Sequence, residues 1–100
     1  METAEFEFRL EGPVVEWRGP APYYFLRVAE EDSADIKLAA QGIEYWGQVP
    51  VVVRIDDLEF TTALFPKDGL YLVPLKDAVR RTAGIEVDEV LEVLLHVGRR

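Results

Sequence analysis

No cysteine occurs anywhere in the 100 residues. Disulfides and thiolate metal sites are therefore excluded, and the chain suits a reducing compartment. Histidine is almost as scarce. His96 is the only one, which rules out a histidine-based metal cluster. Long apolar runs are missing too: the longest lies around "VPVVV", far short of the roughly 20 residues that cross a bilayer as a helix. The opening "METAEFEFRL" has neither the basic nor the apolar stretch of an export signal. A soluble, cytoplasmic protein with no membrane partner is expected. Positive charge is in deficit, with 11 Lys and Arg against 19 Asp and Glu and a net charge of −8. A field of that sign repels polyphosphate at long range, so the balance is against nucleic acid.

What is present describes one folded domain, residues 1–100. Hydrophobic residues make up 49% and charged residues 30%, a globular rather than a disordered balance. No repeat, low-complexity tract or linker divides the chain. Phe6, Phe8 and Leu10 alternate with Glu5, Glu7 and Arg9, the pattern of a half-buried strand. Gly12-Pro13 is expected to break it, leaving "VVEW" as a short apolar piece. "YYFLRV" reads as a second strand with Tyr24, Leu26 and Val28 inward. "EEDSADIKLAAQG" reads as a helix capped by Ser33 or Asp32, with Ile36, Ala39 and Ala40 as its apolar stripe and Gly42 as its stop.

Residues 48 to 65 predict a hairpin turning at Asp56-Asp57. That register pairs Ile55 with Leu58, Val53 with Phe60, Val51 with Thr62 and Val49 with Leu64, all on one face, and Arg54 with Glu59 on the other. "PKDG" is a turn, "LYLV" a short strand ended by Pro74, and "LKDAVRRTA" a helix stopped by Gly84, with Ile85 packing behind it. In "EVLEVLLHV" both faces are largely apolar, which places that strand centrally or in a barrel. The fold class is mainly β: a small closed or nearly closed β-barrel of about six strands with two short helices.

The segment from Trp46 to Leu95, with Gly47 through Val51, Phe65-Pro66, Gly69-Leu70-Tyr71, Pro74, Lys76, Val79-Arg80 and Ala83-Gly84-Ile85, resembles a bacterial family of unknown function. Its members are small β-barrels, some adjoining a YdeI-like bacteriocin-protection domain. The N-terminal half resembles it more loosely. The family's usual Gly-Asp before the last strand is here Val87-Asp88, which implies a differently shaped turn. A second, weaker resemblance is to AbrB/MazE-type swapped-hairpin DNA-binding proteins, through the glycine, apolar strand, proline, arginine and "GI" of residues 69 to 85. The spacing from Pro74 to Arg80 is two residues longer than that motif allows.

No chemical motif is strong. Glu30, Glu31, Asp32 and Asp35 lack calcium-loop spacing, and Asp56 and Asp57 diverge as turn residues. Ser33, Thr61 and Thr62 have no base assigned by a motif. "KDGL" is a turn rather than a phosphate loop, and His96 reads as a surface or packed residue. Trp17, Tyr23, Tyr45 and Trp46 either line a cleft or pack the barrel mouth, with packing favoured. The candidate ligand-binding residues are Tyr71, Lys76 and Arg80, expected around one rim where a strand end feeds a helix start. The competing reading ties Arg80 to an acidic neighbour and leaves Lys76 in water. The expectation is a cofactor-free, non-catalytic module for a small anionic ligand or a protein partner. The alternative is the swapped-hairpin DNA-binding module, and an enzyme ranks third because converging polar groups cannot be placed from sequence.

Overall fold

Alternation builds the first strand, and it runs further than the turn signals suggest. A computed structural model describes residues 7–17, 23–44 and 46–98. Its elements are β1 (Glu7–Trp17), β2 (Tyr23–Arg27), α1 (Glu30–Ala39), β3 (Val49–Ile55), β4 (Leu58–Lys67), β5 (Leu70–Pro74), α2 (Asp77–Ala83) and β6 (Val90–Val97). Phe6, placed inward by the sequence pattern, lies outside the described residues, while Leu10 is buried and Phe8 half-buried. β1 then passes straight through Gly12-Pro13, where a break is expected. A Cβ at Gly12 would lie 2.1 Å from the carbonyl oxygen of Arg27. The glycine therefore marks a close approach of two backbones, not a chain reversal.

At that point β1 also changes partner. Glu7 to Pro13 pair with β6, whereas Val14 to Trp17 pair with β2. β4 does the same on the far side, pairing with β3 up to Leu64 and with β5 from Phe65. Two long strands that each serve two neighbours close the sheet on itself, in the order β1-β2-β5-β4-β3-β6. All pairs are antiparallel.

The β3–β4 hairpin has the register expected from Asp56-Asp57: Val49 opposite Leu64, Val51 opposite Thr62, Val53 opposite Phe60, Arg54 opposite Glu59 and Ile55 opposite Leu58. Val49, Val51, Val53 and Ile55 are buried inside the barrel. β6, between β1 and β3, adds Leu91, Val93, Leu95 and Val97. Val14, Leu26, Val28, Leu64 and Val73 complete the interior, so side chains fill the small barrel as its size requires.

α1 seals part of this core with Ile36 and Ala40, both fully buried. Its N-cap is Ala29, with no side-chain cap, so Ser33 and Asp32 do not cap it. Ser33 is buried in the first turns instead. Its Oγ donates to the Val28 carbonyl at 3.3 Å and accepts from the Tyr71 amide at 3.0 Å, which ties α1 to β5. Three acidic residues in the first turn suit the helix dipole. α2 begins at Asp77 rather than Leu75, because the Leu75 amide still donates to Tyr24 as an extension of β5. Gly84 ends it with φ 66°, and Ile85 is buried behind it.

The turn into β6 runs through Val87-Asp88. Glu89 donates back to the Glu86 carbonyl at 3.3 Å, and Asp88 itself takes φ 72°. Aspartate tolerates the left-handed region better than most residues and fills the place of a glycine. Asp88 and Glu89 then exchange backbone hydrogen bonds of 2.8 Å with Val14, fastening the turn to β1. Among the described residues no helix is long and apolar enough to cross a membrane.

Candidate functional site

The three residues singled out from sequence do not share one rim. Tyr71 points into the core end of α1 and is only 6% exposed. It lines a depression of about 480 Å³ with Glu30, Ser33, Lys37 and Glu44. Burial, and then the Glu44 carboxylate, raise its hydroxyl above the ordinary pKa of 10.0. Arg80 lies elsewhere. Its guanidinium carbon sits 3.7 Å from the centre of the Tyr24 ring, and it pairs with Asp77 one turn back. Lys76 is exposed at the start of α2.

The β2–β5 ladder explains the separation. Val28 donates to Tyr71 at one end, and Leu75 donates to Tyr24 at the other. Tyr71 and the Tyr24–Arg80 stack thus stand at opposite ends of the same pair of strands. Lys76 and Arg80 remain neighbours through the helix, since the Arg80 amide donates to the Lys76 carbonyl at 2.9 Å. Tyr24 passes its own hydroxyl hydrogen to Glu16 at 3.4 Å. Arg80 therefore works as a packed, acid-paired residue of α2.

A better-formed site lies on the outside of the barrel. Inward residues of β2 are Tyr24 and Leu26, so Tyr23, Phe25 and Arg27 face out. Phe25 is nevertheless only 5% exposed. It is covered by Trp17 from β1, by Tyr23, and by Phe65 from β4, at ring-centre distances of 6.4, 6.3 and 5.1 Å. The Phe65 contact is edge-to-face, a favoured aromatic geometry. This second, external apolar cluster has a cleft of about 380 Å³ beside it. Val15, Phe25, Leu70 and Leu72 supply its apolar lining, and Trp17 remains 53% exposed. Lys67 places its Nζ 5.5 Å from the centre of the Trp17 ring, and Arg27 also lines the cleft. Glu16 and Asp68 are its acidic members.

Of the aromatic residues expected either to line a cleft or to pack, Trp17 does both. Trp46 is 90% exposed and lines neither cavity, and Tyr45 lies outside the described residues. Phe25, Phe65, Arg27 and Lys67 escape sequence reasoning. The available signal is that "YYFLRV" is apolar at both parities, so one of its faces must find cover outside the barrel.

His96 faces Glu7 across the β1–β6 pair, with Nδ1 3.6 Å from the carboxylate. Among the described residues no three His, Cys, Asp or Glu side chains gather as a metal site.

Residues 11–95 match the family described as Domain of unknown function (DUF1905). The chain belongs to this family. The DUF1905 match begins within β1 and continues through β2 to β6. All the cleft residues fall within it. No curated protein matches the chain.

Proposed function

We propose that this DUF1905 domain is a non-catalytic binding module that takes a small ligand in the external cleft. The observation that carries the reading is the half-exposed Trp17 beside a cleft of about 380 Å³ with an apolar lining. That volume falls within the range of small-molecule sites, which combine apolar walls with a few placed polar groups. Among the described residues the cleft is lined by no hydroxyl, thiol or imidazole, so the Ser–His and Cys–His pairs of covalent hydrolases have no counterpart there. A concave site favours a small molecule over a flat protein partner.

The swapped-hairpin DNA-binding alternative receives no support, because the six strands close within a single chain. A cysteine-free composition fits a cytoplasmic setting, and the bacterial setting rests on the sequence resemblance alone.

The test is protein-observed NMR with a library of small aromatic and aliphatic fragments. Binding fragments are expected to shift the Trp17 indole signal and the amides of Phe25, Leu70 and Leu72, and Trp17→Ala should abolish those shifts. Shifts confined to the far side of the barrel, or none across the library, would remove the proposal.

A further inference from the structure

We infer that the ligand of this cleft is a planar aromatic anion, its ring packed on the exposed Trp17 indole and its charge met by Lys67 and Arg27. The inference rests on reading the cleft as a ligand site and adds the chemical class of the occupant.

Planarity comes from the walls. Trp17 is tilted by 40° against Phe25 rather than stacked flat on it, and more than half of its surface stays in water. An indole left exposed beside an apolar cavity gains most from a flat apolar partner, because aromatic pairs add attraction beyond the area they bury.

The sign of the charge comes from the cations. The protein as a whole carries −8, while the described lining of this cleft is charge-balanced, with Lys67 and Arg27 beside Glu16 and Asp68. Lys67 is held near the Trp17 ring at 5.5 Å, so its ammonium is positioned before any ligand arrives. Arg27 offers a planar fork suited to a carboxylate. The acidic members are placed differently. Glu16 accepts a hydrogen bond from Tyr24, whose ring carries Arg80 on its face. Asp68 lies in the turn between β4 and β5, directly after Lys67. A cationic ligand would bring its charge against Lys67 and Arg27, both of which line the cleft.

Matched probes test this: naphthalene-carboxylate and the neutral, similarly shaped naphthalene-carboxamide. Each is titrated into the intact chain while the Trp17 indole signal is followed. The carboxylate should bind about tenfold more tightly, the scale of one charge-assisted hydrogen bond. Lys67→Gln should bring the two affinities within about threefold by weakening the carboxylate. Equal affinities in the parent protein would overturn the anion preference and leave the cleft reading standing. A preference for the carboxylate that survives in the Lys67→Gln, Arg27→Gln double variant would overturn the assignment of its charge to Lys67 and Arg27. Failure of both probes to move the Trp17 signal would overturn the inference together with the reading on which it rests.

Discussion

Replacing Gly12 by alanine should damage this barrel more than its single added methyl suggests. The new Cβ would stand 2.1 Å from the Arg27 carbonyl oxygen, 2.9 Å from a Leu26 methyl and 3.2 Å from the Arg27 carbonyl carbon. The Leu26 methyl belongs to a fully buried side chain, and the other two atoms are backbone. No rotamer change relieves the closest contact, so β1 and β2 must separate where β1 exchanges β6 for β2. Ordinary overpacking costs about 1–3 kcal/mol. With backbone as the obstacle the cost should reach about 3 kcal/mol or more, against a total of about 5–15 kcal/mol for a typical domain. At roughly 4–8 °C per kcal/mol for a domain of this size, the melting temperature should fall by at least about 12 °C. Gly42→Ala is the control. Its φ is 90° but nothing lies within 4 Å of a Cβ there, so only backbone strain of about 1–2 kcal/mol applies. Urea and thermal unfolding of both variants measure the difference. A Gly12→Ala protein as stable as its parent within about 0.5 kcal/mol would refute the strand crossing.

Three further outcomes follow from the same geometry. Val53→Ala, at a fully buried position opposite Phe60, should cost about 1–3 kcal/mol in urea unfolding, and no loss would contradict the hairpin register. Ser33→Ala removes the acceptor of the Tyr71 amide, so a loss of about 1–3 kcal/mol is expected, and a neutral result would show that the amide finds another partner. Tyr71 should ionise above the ordinary tyrosine value of 10.0 in an ultraviolet titration compared with Tyr71→Phe, because burial and Glu44 disfavour its phenolate. Its folded pKa is raised, so its contribution to stability is intact below the ordinary value of 10.0 and is lost as pH climbs from there through the folded value. Alkaline stability that stays flat across that window, or falls equally in Tyr71→Phe, would contradict the assignment.

The barrel is legible in the sequence wherever one face of a strand is buried. The valines of β3 can pair with β4 in only one register that keeps them all inside, and Asp56-Asp57 supplies the turn. β6 is read correctly for the same reason, being apolar on both faces and flanked by two strands. Gly12-Pro13 misleads because turn residues also serve close backbone approaches, and the Arg27 carbonyl that demands a glycine lies far along the chain. Ser33 misleads because its residue type suits both a helix cap and a buried bridge, and only the position of the Tyr71 amide decides between them. The expected rim around Tyr71, Lys76 and Arg80 relies on nearness in sequence, whereas the β2–β5 ladder carries Tyr71 away from the Tyr24–Arg80 stack. The cleft is hidden for a further reason. Trp17, Phe25, Phe65 and Lys67 come from three strands and meet only once the barrel closes.

The claim that the external cleft is the ligand site is tested most directly by a crystal structure of the chain soaked with naphthalene-carboxylate. The account predicts the ring against Trp17 and the carboxylate within hydrogen-bond reach of Lys67 or Arg27. The compound bound in the Tyr71–Glu44 depression, with the cleft beside Trp17 empty, would contradict it.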